Sequence, residues 1–209
     1  LDEVIPGFGR LGYGLAAERY DVVPDMNTFA KGVTNAAVPL SGVLCRKGIY
    51  ETHMQGPEYL VELFHGYTYS GHPLAVAAGV ATLELYKEEG LFERARKLEP
   101  LFADAMMSLK GLPNVADIRP VGLMCGIDLD PVPGAVGQRG YMAIEKMYHD
   151  FDMYCRVGTD TLVTSPPLIV TEDQIGEITD KLAKTIKAVS PRSFAMLTVW
   201  EGYYIEPAA

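Results

Sequence analysis

Apolar positions along the chain change period several times, and each change marks an element. From Pro73 to Lys87 the segment is apolar on nearly every face until Glu84, with proline at the first helical position. That pattern predicts a buried helix over 74–88. Leu91, Ala95, Leu98, Leu101, Phe102 and Met106 then recur at helical spacing, with charges on the other face. They predict a second helix over 91–109, stopped before Gly111. Beyond it the period drops towards two, giving strands at 115–118 and 122–129, a loop over 131–140, a helix over 141–150 and one or two strands within 153–164. Ser165-Pro166-Pro167-Leu168 breaks the run. Thr171 and Gln174 form a capping box, and Ile175, Ile178, Leu182, Ile186 and Val189 line one face of a last helix.

Upstream of residue 51, short apolar runs alternate with Gly- and Pro-rich turns. Thr28-Phe29-Ala30 and the run 40–45 are strand candidates. Residues 51–72 read as an irregular segment rich in Gly, His and Tyr. The organisation expected is α/β material over 1–72, connecting helices over 73–110, a smaller α+β unit over 111–190 and an aperiodic tail over 191–209. The opening Leu1-Asp2-Glu3-Val4-Ile5 looks like the end of a buried strand entering a turn, so a preceding part of the fold is expected.

Charge and composition narrow the function. A net charge of −9 and a pI near 4.9 argue against a nucleic-acid binder, which needs clustered Lys and Arg. No apolar run is long enough for a membrane-spanning helix, and no signal peptide is visible. Three cysteines without CxxC spacing read as reduced thiols, which makes the cytoplasm the expected location. The four histidines have no metal-ligand spacing.

Four segments could carry chemistry. Asp2 and Glu3 stand at a strand end before the Gly-rich turn Pro6-Gly7-Phe8-Gly9-Arg10, a place where ligands meet the edge of a sheet. Lys31 lies between Ala30 and Gly32. A lysine removed from water there has a lowered pKa and acts as a nucleophile towards carbonyls. His65-Gly66-Tyr67-Thr68-Tyr69-Ser70-Gly71-His72-Pro73 offers hydroxyls and a helix start that could cradle a phosphate, although the Lys-Ser/Thr pair of a Walker loop is missing. Arg156, among apolar strand residues, suits bidentate carboxylate binding. Taken singly, a tight turn, a surface lysine, an ordinary loop and a structural ion pair to Asp160 or a helix carboxylate would account for them.

In combination and order, the segments DEVIPGFGR, FAKGVTNAAVPLSGV, HGYTYSGHPLAVAAGVATLEL and RVGTDTLVTSPPLI resemble the class-III aminotransferases from residue 1 to about 190. Thr34-Asn35 and Tyr67-Thr68-Tyr69-Ser70 resemble most the branch acting on beta-alanine or other omega-amino acids with pyruvate. The resemblance implies a fold-type-I transferase dependent on pyridoxal 5'-phosphate. It further implies an α/β chain formed by the C-terminal part of the large cofactor domain and the small α+β C-terminal domain.

It also implies roles. Asp2 would pair with the cofactor's pyridine nitrogen and keep it cationic, Val4 would pack on the ring, and Lys31 would form the Schiff base. Thr68 would bind the cofactor phosphate of a neighbouring subunit, so a homodimer or homotetramer is expected. Arg156 would grip the substrate carboxylate. The partners implied are a small amino donor and pyruvate, with no nucleic acid and no membrane.

The family's phosphate loop and ring-stacking aromatic would lie upstream of Asp2, as would much of the large-domain sheet. A split parallel sheet exposes apolar edges, so poor stability of the isolated chain is expected. Thr159 stands where the family has Gly, which implies a local change of turn. An aminomutase, a decarboxylase of the same fold type, or a truncated product without activity are the alternatives.

Overall fold

The computed structural model describes residues 1–60 and 67–190. Its larger body is a four-stranded antiparallel sheet in the order β3-β4-β6-β5, made by β3 (Val115–Val121), β4 (Met124–Leu129), β5 (Arg156–Gly158) and β6 (Thr161–Thr164). Alternation explains the sheet's orientation. On β4, Cys125, Ile127 and Leu129 are buried while Met124, Gly126 and Asp128 are only partly covered. The buried side meets α4 (Leu91–Met107), α5 (Gln138–Phe151) and α6 (Glu172–Ala188). Phe102, Met106, Ile127, Met147, Leu162, Ile175 and Leu182 form the centre of this core with no solvent exposure. α4 and α6 contribute the stripes that their sequence period sets out, except that Leu101 of α4 is 36% exposed.

The N-terminal part is smaller. It holds α1 (Ala16–Arg19), β1 (Met26–Phe29), a 3-10 turn (Lys31–Val33), β2 (Gly42–Cys45) and α2 (Lys47–His53). β1 and β2 pair antiparallel, and Asp2 adds a single parallel bridge to Thr28. The strand pairing among the described residues is thus mostly antiparallel, with the Asp2–Thr28 bridge parallel. α3 (Pro73–Glu88) joins the two parts.

Several expectations change. The helix α3 is not buried all round: only Ala75, Gly79, Thr82 and Tyr86 are covered, whereas Leu74, Val76, Val80, Leu83 and Leu85 are 43–62% exposed. Leu1, expected at a buried strand end, is 55% exposed, and burial begins at Glu3. The segment from 51 opens with the end of α2, so the irregular stretch starts after His53. α5 begins at Gln138, ahead of the expected 141, because Gly137 takes a left-handed φ of 87° and the Asp160 carboxylate accepts the Gly137 and Gly140 amides. The expected tail after residue 190, and His65 and Gly66, lie outside the described residues.

Candidate active site

The strand end at Asp2 is fixed by its neighbour. Glu3 is 1% exposed, and its two carboxylate oxygens accept the Ala16 and Ala17 amides, each at 2.9 Å. Those are open donors at the start of α1, so a buried acid thirteen or more residues upstream caps the helix. With Glu3 turned inward, Asp2 faces the other side and is exposed. Its Oδ1 accepts the Val4 amide at 2.9 Å. The following turn closes through Gly7 N–H to Glu3 C=O, Phe8 N–H to Gly14 C=O and Gly9 N–H to Tyr13 C=O.

Lys31 leaves the end of β1 in the left-handed region, at a φ of 49°. The Lys31 carbonyl accepts both the Thr34 and Ala36 amides, and the Thr34 hydroxyl donates to the Val38 carbonyl at 2.6 Å. Gly32 has no room for a side chain, since a Cβ there would fall 2.8 Å from Phe8 Cβ. The lysine's backbone is therefore set by a crowded turn against Phe8.

Arg156 sits on edge strand β5, opposite Val163. Among the described residues it makes no ion pair. The Asp160 carboxylate, which a structural reading would offer it, is already taken by the α5 amides. Lys31 and Arg156 line one cavity of about 440 Å³, together with Arg10, Asn35, Tyr86 and Ser165 and an apolar wall that includes Ile5 and Phe8. No Asp or Glu side chain is among the described residues lining it, so its charged groups are all basic and suit an anionic ligand. Asp2 and Val4 do not line this cavity. Thr68 lines another, of about 920 Å³, with Ser41, Tyr67, Ser70 and His72. The chain thus brings Lys31 and Arg156 together and leaves Asp2, Val4 and Thr68 apart from them.

Two residues of the cavity carry no sequence assignment. Arg10 donates through Nη1 to the Leu123 carbonyl at 3.1 Å and to the Pro166 carbonyl, joining the Gly-rich turn to the sheet body. Burial lowers the Arg10 pKa, and nearby Tyr86 acts in the opposite direction. Burial raises the Tyr86 phenol, and Arg10 opposes that. The signal for Tyr86 is its place on the covered stripe of α3, four residues after Thr82. Nothing local marks the contacts that Arg10 and Glu3 make, because their partners are distant in sequence.

Burial pushes Cys125 and Cys155 up to about 11, which makes them inert thiols, while Cys45 is exposed. Among the described residues there is no cluster able to hold a metal ion, and no helix long and apolar enough to cross a membrane.

The family model for aminotransferase class-III matches residues 1–186. The chain is 49% identical over 189 residues to an omega-aminotransferase of Caulobacter vibrioides, covering 90% of this chain and 42% of that protein. It is 38% identical over 192 residues to a beta-alanine–pyruvate aminotransferase of Pseudomonas aeruginosa, covering 91% and 43%. Among solved structures, a thermostable (S)-enantioselective omega-transaminase from Thermomicrobium roseum superimposes with a TM-score of 0.81 at 31% identity, over 90% of this chain and 43% of that one. The chain therefore spans about two-fifths of the length of the curated relatives it matches.

Proposed function

Because the chain belongs to the class-III aminotransferases, whose cofactor is pyridoxal phosphate, we propose that it forms part of an enzyme moving an amino group from an omega-amino acid or amine of the beta-alanine kind to pyruvate. The observation that carries this reading is the cavity shared by Lys31 and Arg156. An amine, exposed rather than removed from water as expected, and a guanidinium share one cavity with no acid among its described lining residues, which suits a reaction on amino and keto acids. The names of the relatives in Caulobacter vibrioides and Pseudomonas aeruginosa favour the omega-amino-acid branch.

The residues present fit the cofactor. Lys31 reaches a cavity of about 440 Å³ walled by basic and apolar groups, and Thr68 and Ser70 place hydroxyls in the other cavity. Pyridoxal phosphate supplies an electron sink for the charge left when a proton leaves the substrate carbon. Lys31 would hold the cofactor covalently, and once freed its amine would carry that proton as general base and acid. Asp2 would offer the pyridine nitrogen a negative charge that keeps it protonated, and Val4 would pack on the ring, although neither lines the Lys31 cavity in this chain. Arg156 binds the substrate carboxylate and moves aside for donors that lack one. Thr68 serves the phosphate of a neighbouring subunit, in a homodimer or homotetramer in the cytoplasm. Residues 1–72 belong to the cofactor domain, 73–110 connect, and 111–190 form the small domain.

The test is incubation with pyridoxal phosphate, borohydride reduction and peptide mapping, followed by a panel of amino donors with pyruvate. Label concentrated on Lys31, absent from a Lys31→Ala variant, and alanine formed from beta-alanine are the expected results. Scattered label would remove Lys31 from the site, and release of carbon dioxide from the donor would replace transamination by decarboxylation.

A further inference from the structure

The covered stripe of α3 ends in a residue whose only polar group is spent on the lysine turn. Tyr86 is 7% exposed, and its ring is fixed against Phe92 with centroids 5.3 Å apart. Its hydroxyl donates to the Gly32 carbonyl at 2.7 Å, across 54 residues of sequence. That carbonyl also accepts the Asn35 amide at 3.2 Å, within the turn itself. Gly32 is pressed from another side by Phe8 and the Gly7 carbonyl. The turn is thus gripped by Phe8 and by the phenol, next to a lysine in a backbone conformation that non-glycine residues adopt at a cost. A turn with that cost persists because its surroundings over-determine it.

We propose that Tyr86 is a positioning residue for Lys31, its hydroxyl on the Gly32 carbonyl holding the lysine backbone in the left-handed turn that aims the amine into the cavity. The inference rests on the proposed role of Lys31. A rigid aromatic ring is well suited to such positioning, because its two side-chain torsions are both fixed by packing and its hydroxyl is delivered with little spread. The sidedness also follows. Ala75, Gly79 and Thr82 share the covered stripe with Tyr86. At Gly79 the helix lies close to the turn, since a Cβ there would be tight against Leu40 Cδ2 at 3.3 Å and in ordinary contact with the Val33 carbonyl oxygen at 3.6 Å. The small residues bring α3 down on the turn, and the last one on the stripe reaches into it.

Tyr86→Phe keeps the ring and deletes the hydroxyl. Thr82→Ala removes a hydroxyl from the same stripe that bonds only within its own helix, to the Ala78 carbonyl, and is the control. Two readouts are needed: amide exchange at residues 33–36, and the rate of borohydride-trapped cofactor label at Lys31 relative to other lysines. Tyr86→Phe is expected to speed exchange at 33–36 and slow the Lys31 label roughly five- to tenfold, the effect of one lost hydrogen bond. The other lysines and Thr82→Ala stay at the parent rates. Unchanged exchange in Tyr86→Phe overturns the proposal, because the hydroxyl then does not hold the turn. Faster exchange with an unchanged Lys31 rate also overturns it, leaving a structural contact only. If the parent chain itself shows no preference for Lys31, the aminotransferase reading of this polypeptide fails first, and Tyr86 positions nothing catalytic.

Discussion

Single residues in this chain take on duties that their neighbours in sequence do not announce. Glu3 caps α1 and so turns Asp2 outward. Asp160 caps α5 and so is withdrawn from Arg156. The turn before Asp160 carries a visible cost. Thr159 has a φ of 52°, where a β-branched residue is strained and glycine is not. The relief available is small but measurable. Thr159→Gly is expected to raise stability by about 0.5–1 kcal/mol, offset in part by the greater freedom of glycine in the unfolded chain. Urea unfolding of the two proteins checks it: a midpoint that does not rise would mean that the surrounding bonds already absorb the strain.

At the scale of elements, legibility follows where the capping information sits. α6 is readable because its cap is local: Thr171 Oγ1 accepts the Gln174 amide at 3.2 Å and Gln174 Oε1 accepts the Thr171 amide at 2.9 Å. Its apolar stripe, with Ile175, Leu182 and Ile186 buried, then falls where the period puts it. α1 and the first turn of α5 are not readable, because their caps come from Glu3 and Asp160, remote in sequence. α3 misleads for a different reason. Continuous apolarity shows that several faces have apolar side chains, not that the described residues cover them all. Thr171→Ala removes one side of the reciprocal cap and is expected to cost about 1 kcal/mol, read from the thermal midpoint and from amide exchange confined to the first turn of α6. A loss spread over all helices would instead mean that the α6 start is part of the global core.

For the whole molecule, the decisive feature is the seam between the N-terminal part and the sheet body. Lys31 comes from one side of the cavity and Arg156 from the other. Singly, a surface lysine and a structural ion pair would account for these two residues, and only their order among the neighbouring segments marks them in the sequence. Their meeting is not legible there, because it depends on contacts between distant segments. Arg10 binds the Leu123 and Pro166 carbonyls, the Leu123 amide returns a bond to the Arg10 carbonyl at 2.9 Å, and Arg94 binds the Leu168 and Val170 carbonyls. Glu99 closes the same seam, accepting Arg19 from α1 at 2.8 Å and the Gly122 amide at 2.8 Å. The Arg19 hydrogen bond, and after it the Gly122 amide, hold the Glu99 carboxyl below its ordinary range. A lowered carboxyl pKa stabilises the fold above the ordinary value and loses that contribution as the pH falls through the lowered one. Glu99→Gln keeps the shape and an acceptor but removes the charge. The variant is therefore expected to be less stable than the parent at neutral pH, with the gap in urea midpoint closing in acid as Glu99 takes up its proton. Because Glu99 is partly exposed, the gap is modest and shrinks with salt. A gap that stayed constant from neutral pH into acid would show that shape, and not the charge on Glu99, holds the two sides of the cavity together.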